Sequence, residues 1–275
     1  MAREISENDT SYKMEVKYKL NNSEIKLYNG DCLKLMKDIP DKSIDMILCD
    51  LPYGTTACKW DSVIPLDQLW EQYNRIIKDN GAIVLFGQEP FSSYLRISNI
   101  KNFKYDWYWE KERLTNIAQV KKRPGKTVET ISVFYKKQCT YNPQMQKYEG
   151  KKRTNKVKNG KLGKLVDGGT KTVKEYQDTG WRYPTQVLSF QRDILKSNLH
   201  PTQKPVALVE FLVKTYSNEG DIVLDSCMGS GTTAIACMNT NRNFIGFELD
   251  ETYYKLSLER IKNRAQQLGL ILEVE

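Results

Sequence analysis

Asp50-Leu51-Pro52-Tyr53 places a carboxylate, a backbone carbonyl in a pre-proline setting and an aromatic ring within four residues. The apolar run Ser43–Cys49 leads into it, so the group falls at the end of a buried parallel strand. Residues of these types can act on an exocyclic base amine. The lone pair of such an amine is delocalised into its ring, and two acceptors aimed at its two N–H bonds favour the pyramidal, nucleophilic form. Asp50 Oδ and the Leu51 carbonyl are the candidate acceptors. Pro52 restricts the carbonyl, and Tyr53 is a candidate platform for a base flipped out of a duplex. Taken alone, a D-x-P-Y sequence is more simply read as a strand-end turn.

A second group lies near the other end of the chain. Asp221–Asp225 reads as a strand, Gly229-x-Gly231-x-x-Ala234 as a tight turn into a helix, and Glu248 follows Gly229 by nineteen residues. Glycines let a ligand approach the backbone, and an acid ending the next strand can accept from ribose hydroxyls. A ligand-free strand–helix turn is the plainer alternative. In a dehydrogenase this unit opens the domain, whereas here only 27 residues follow Glu248. Two parallel strands cannot bury themselves, so the remaining strands must come from Glu24–Phe86. A sheet assembled from both ends of the chain would bring Asp31, Asp50, Asp225, the glycine turn and Glu248 to the C-terminal ends of parallel strands, where open α/β sheets bind ligands.

The elements needed for this are legible. Glu24–Tyr28, Ser43–Cys49 and Ala82–Phe86 read as strands, Cys32–Lys37 begins a helix, and Pro65–Asp79 has helical spacing that Asn80-Gly81 should stop. Phe103–Trp109 and Thr130–Tyr135 read as neighbouring strands, Ala207–Tyr216, Thr232–Met238 and Glu251–Ala265 as helices, and Asn243–Phe247 as a strand. Residues 1–23 are polar and read as loosely held. The fold class predicted is α/β with a parallel sheet, interrupted by an insertion at 138–198 that is poor in apolar period. The catalytic part then comprises 1–137 and 199–275.

The chain has 275 residues and a net charge of +8. Lys111–Glu175 carries a local charge of +13 and the other 210 residues carry −5. A solvated surface explains many charge runs. Interleaving with Tyr135, Tyr141 and Tyr148 suits a polyanion better, and Lys121-Lys122-Arg123 and Lys151-Lys152-Arg153 are the clusters expected on nucleic acid. No apolar run is long enough to span a membrane, and the N-terminus lacks the apolar core of a signal peptide. Six cysteines without a C-x-x-C pair, and a single histidine, point away from a structural metal site and towards a reducing, cytoplasmic setting.

Together the motifs resemble the β-class amino-methyltransferases of DNA, with the D-P-P-Y type motif first, the recognition region in the middle and the glycine-rich motif last. The resemblance covers most of 24–137 and 199–267. Val133–Asn142 also resembles bacterial and phage members. The resemblance implies a Rossmann-like methyltransferase sheet, circularly permuted, with S-adenosyl-L-methionine as cofactor, double-stranded DNA as substrate and a homodimer as one possible assembly. It implies catalytic roles for Asp50, Leu51, Pro52 and Tyr53. It implies cofactor contacts from Asp31, Cys32, Asp50, Lys204, Asp225, Cys227, Gly229, Gly231, Thr232 and Glu248. His200-Pro201-Thr202-Gln203-Lys204-Pro205 resembles the segment preceding the cofactor loop. Leu51 departs from the family's first proline but keeps the carbonyl. Cys227 stands where many members have phenylalanine. Thr232 is open between helix cap and cofactor contact, and Trp60-Asp61 between a lid over the target base and the core.

The activity expected is transfer of a methyl group to adenine N6, as in restriction–modification systems, with no metal. N4-cytosine is the alternative target, since both are exocyclic amines meeting the same acceptor pair, although the resemblance implies aspartate at the first motif position for adenine enzymes and serine for N4-cytosine ones. A NAD-dependent oxidoreductase would share the glycine turn but leaves Asp50–Tyr53 and the basic segment unexplained. A binding protein without activity is disfavoured by the intact Asp50 and glycines.

Overall fold

Buried and half-exposed side chains alternate along Ser23–Asn29, and every second residue enters the core. Ile44–Cys49 and Ala82–Gly87 are buried almost throughout, as strands covered on both faces must be. The computed structural model describes residues 14–20, 23–54, 62–150, 179–191, 203–269 and 273–274. In chain order its elements are β1 (Met14–Leu20), β2 (Ser23–Asn29), α1 (Cys32–Leu35), β3 (Ile44–Cys49), α2 (Leu66–Ile76), β4 (Ile77–Gly87), α3 (Phe91–Ser98), β5 (Phe103–Glu110), β6 (Val128–Phe134), β7 (Gln146–Lys147), β8 (Trp181–Arg182), β9 (Val187–Ser189), α4 (Val206–Tyr216), β10 (Ile222–Asp225), α5 (Thr232–Asn239), β11 (Asn243–Glu248), α6 (Glu251–Gln267) and β12 (Glu273–Val274). Short 3-10 turns follow α1 and precede β6.

Ten strands form one sheet in the order β12-β1-β2-β11-β10-β3-β4-β6-β5-β9. The central strands β2, β11, β10, β3 and β4 run parallel, and β6 turns back antiparallel to β4. The C-terminal strands β10 and β11 are thus inserted between the N-terminal β2 and β3. The sheet is assembled from both ends of the chain, as expected. Helices α1, α2 and α3 bury their apolar faces on one side of the sheet, and α4, α5 and α6 on the other. In α2 that face is Leu69, Trp70, Tyr73 and Ile76, each contributing roughly 1.5–3 kcal/mol on burial.

Three expectations need correction. Met14–Leu20 is an ordered strand, paired residue for residue with Ser23–Asn29, so this part of the N-terminal polar stretch is held in the sheet. Helix α2 ends at Ile76 and not at Asp79. Asn80-Gly81 lies inside β4, where the register with β3 shifts between Ile44 and Met46. A Cβ on Gly81 would sit 2.7 Å from the Asp45 carbonyl, so this glycine serves a bulge against the neighbouring strand and not a helix stop. Finally, Cys139 and Leu188 are buried in the main core, and β9 extends the sheet beside β5. The chain accordingly divides into one unit of 1–142 with 186–275 and a second of 143–185. In the second unit β7 and β8 pair antiparallel, and the Arg182 guanidinium lies 4.7 Å from the Tyr148 ring centroid.

Candidate active site

Four adjacent strands, β2, β11, β10 and β3, end at one edge of the sheet, and each delivers an acidic residue there. Asp31 follows β2, Glu248 ends β11, Asp225 ends β10 and Asp50 follows β3. They line a cleft of about 1610 Å³ together with Cys32, Leu51, Pro52, Tyr53, Lys204, Cys227, Gly229 and Thr232. Most of the residues singled out from sequence on both sides of the insertion are therefore brought together. Lys151-Lys152-Arg153, His200, Pro201, Thr202, Trp60 and Asp61 lie outside the described residues.

The acids are held differently. Asp225 is buried and accepts from Thr233 Oγ1 at 2.6 Å and from the Cys227 amide at 3.1 Å, so it clamps the glycine turn. Burial pushes its carboxyl up to about 6. Gly229 and Gly231 adopt φ of +51° and +77°, a region that side-chain-bearing residues enter at a cost. The half-buried Glu248 accepts from the Gly229 amide and the Asp250 amide, both at 2.8 Å. Burial raises its carboxyl to about 7 against the lowering effect of these two bonds. Asp31 is exposed and caps α1, accepting from the Leu33 amide at 2.8 Å. Thr232 is buried, with Arg260 Nη1 3.4 Å from its hydroxyl. Cys227, at the phenylalanine position, is half-buried and lines the cleft, while Ser226 beside it bonds Cys49 Sγ at 3.3 Å and the Tyr73 hydroxyl at 2.5 Å.

Asp50 sits at the centre of an ion network. Tyr53 donates its hydroxyl to Asp50 Oδ1, and Lys204 donates its ammonium to Asp50 Oδ2. Lys204 is also 3.5 Å from Glu129 Oε2, and Lys111 donates to Glu129 Oε1. Burial and the charges of Asp50 and Glu129 push the Tyr53 phenol well above its usual value, so it stays a donor. Burial alone would lower the Lys204 ammonium, but Asp50 and Glu129 outweigh it and the net shift is upward. Burial alone would raise Glu129, yet Lys204 and Lys111 hold it below the usual carboxylate range. Lys204, expected at the cofactor, thus pairs with the catalytic-motif carboxylate. Lys111, counted in the basic segment, is buried against Glu129 instead of facing a polyanion. The Tyr53 ring packs at 5.2 Å from that of Phe91.

Sequence reasoning missed Glu129 and Asp250, and it gave Gln203 and Thr233 no role of their own within the motifs that contain them. A lone acid inside the apolar run Val128–Phe134 was the available signal for Glu129, since a charge there must be paired. Gln203 Nε2 is buried with no hydrogen-bond partner among the described residues, and it lines the cleft beside Ser230. The cleft therefore offers a free donor at one place and the Glu248 acceptor at another.

Comparison with known proteins decides the family. The model of the N6/N4 DNA methylase family matches residues 44–259. The chain belongs to that family. It is 28% identical over 249 residues to the DNA adenine methyltransferase YhdJ of Escherichia coli (strain K12), covering 86% of this chain and 82% of YhdJ. The crystal structure of an M1.HpyAVI–SAM complex superposes with a TM-score of 0.59 at 27% identity, covering 86% of this chain and 98% of that one. The cytosine-N4-specific PvuII DNA methyltransferase shares the fold at a TM-score of 0.60 and 19% identity, over 89% of this chain and 92% of that one. The chain is thus a DNA amino-methyltransferase with the α/β methyltransferase fold, and the oxidoreductase reading is set aside.

Proposed function

We propose that this DNA methyltransferase methylates the N6 amine of adenine in double-stranded DNA, with S-adenosyl-L-methionine as donor. The observation that carries the reading is Asp50, fixed at the strand end between the Glu248 side of the cleft and the loop that joins β5 to β6. When bound, S-adenosyl-L-methionine supplies an electrophilic methyl group on a sulfonium centre. Glu248 would accept from its ribose hydroxyls, Gln203 and Thr232 would face its methionine part, Asp31 its adenine part, and the Gly229–Gly231 turn would lie against it. Cys32, Asp225 and Cys227 would shape that wall of the cleft.

Asp50 and the Leu51 carbonyl would take the two N–H bonds of the target amine. A carboxylate has about four acceptor positions, so Tyr53 and Lys204 leave capacity for a third bond. Lys204 and Tyr53 hold the Asp50 carboxyl in one orientation, so the acceptor is in place before the base arrives. Pro52 fixes the course of the chain beside it. Orientation of this kind can supply roughly 7–11 kcal/mol of the barrier. Support for adenine as target comes from aspartate at the first motif position and from the likeness to YhdJ. The exposed Lys121, Lys122 and Arg123 would contact phosphates, and the unit of 143–185, with exposed Trp181 and Tyr183, would read the target sequence.

The test is to methylate duplex DNA with the purified protein, digest it and identify the modified nucleoside by mass spectrometry. N6-methyladenine is expected. N4-methylcytosine as the main product would overturn the adenine reading while leaving the amine chemistry of Asp50 in place.

A further inference from the structure

The connection between β5 and β6 combines an exposed apolar tip with a basic flank. β5 ends and β6 begins at the same edge of the sheet as the C-terminal ends of β3 and β4, because β6 runs antiparallel to β4 and β5 antiparallel to β6. Residues 111–127 therefore rise beside the cleft, and Leu114 and Ile117 line it. The loop is internally fastened. Thr115 N donates to the Lys126 carbonyl at 3.0 Å, Lys126 N to Asn116 Oδ1 at 2.7 Å, and Asn116 Nδ2 to the Pro124 carbonyl at 3.0 Å. Leu114 packs on Gly125, where an added Cβ would meet its side chain at 2.4 Å. Ile117 starts a single 3-10 turn, and 71% of it is exposed. The same loop carries Arg113, Lys121, Lys122 and Arg123, all exposed.

This isoleucine lines the cleft, leaves most of its side chain in water and shares its loop with four exposed cations. Its surroundings match a polyanion with an apolar interior, which is a base-paired duplex. We propose that Ile117 is a wedge that enters the base stack and fills the space left when the target base turns into the cleft. Apolar side chains inserted between base steps unstack them in this way, and extrusion of a base requires pairing and stacking to be broken. The basic flank would hold the backbone on either side while the fastened loop keeps the tip from yielding. The inference rests on the reading of the cleft as the pocket for a flipped base. It assigns Ile117 a positioning role separate from that of Asp50.

Ile117→Ala and Ile117→Ser, both at an exposed position, are assayed with two duplexes. In one the target base is normally paired, and in the other it lies opposite an abasic site, so that little pairing remains to be broken. Each variant is expected to lose at least roughly tenfold in kcat/KM on the paired duplex and less than about twofold on the abasic one. Equal loss on both duplexes, or no loss on either, overturns the wedge. Asp50→Ala, run alongside, is expected to fail on both duplexes. If it retains activity, the catalytic reading fails and the wedge is judged separately on 2-aminopurine at the target position. Fluorescence rise on binding by wild type but not by Ile117→Ala supports the wedge, and equal rises refute it.

Discussion

Asp50 already receives bonds from Tyr53 and Lys204 before any substrate is present, and this frames what its loss should do. Asp50→Ala removes the acceptor for the target amine and leaves Lys204 beside Glu129 alone. Methyl transfer is expected to fall by more than tenfold, about 1.4 kcal/mol of barrier or more, while cofactor affinity in calorimetry stays within about twofold. A variant that keeps over a tenth of the wild-type turnover would contradict the role. Glu248 gives a pH signature. Its carboxyl is raised to about 7 by burial, and only the ionised form accepts from both ribose hydroxyls. The protonated fraction falls as pH rises through that value, so cofactor affinity should increase by up to roughly tenfold between about pH 6 and 8. Glu248→Gln should bind more weakly and lose the dependence. A wild-type affinity that is flat across the window would remove Glu248 from the cofactor site.

At the scale of elements, the glycine turn between β10 and α5 and the bulge in β4 illustrate opposite uses of glycine. Gly231 has a φ of +77°, and a Cβ there would come within 3.0 Å of the Ser257 Cβ on α6. Gly231→Ala is therefore expected to destabilise the protein by about 1–2 kcal/mol from backbone strain. Thermal unfolding should show a drop of several degrees in Tm, and an unchanged Tm would mean that the turn relaxes freely. Gly81 has no such φ and is required by the closeness of the Asp45 carbonyl and the Ile77 side chain, each 2.7 Å from an added Cβ. From sequence, Asn80-Gly81 after an amphipathic run reads as a helix end. Ile77 instead pairs with Ile44, and the strand begins before the glycine. Local propensity cannot report the distance to a neighbouring strand.

The whole molecule is electrically divided, with +13 on Lys111–Glu175 and −5 elsewhere. If the exposed part of that charge meets phosphates, affinity for DNA should fall steeply with salt. About 5–8 contacts at about −0.9 each give a slope of log affinity against log salt of about −4 to −7. Replacing Lys121, Lys122 and Arg123 by glutamine should flatten the slope by roughly 2–3 and weaken all sequences alike. An unchanged slope would mark this cluster as solvated surface. Lys111 contributes nothing to that count, because it is buried against Glu129.

Much of the architecture follows from the chain alone. Apolar periodicity delimits the central strands and α4–α6, and the sheet takes β10 and β11 between β2 and β3. The acids at the strand ends follow from the same topology, since Asp50, Asp225 and Glu248 end or directly follow an apolar run and Asp31 comes two residues past the end of β2. What only the tertiary structure decides is which charges meet. Lys204 and Asp50 are 154 residues apart, and Glu129 joins them from a strand on the other side of β4. No local pattern encodes such a meeting, because it depends on strand order and on desolvation. A buried ammonium persists as a cation only where two carboxylates face it, and only the folded sheet brings them there.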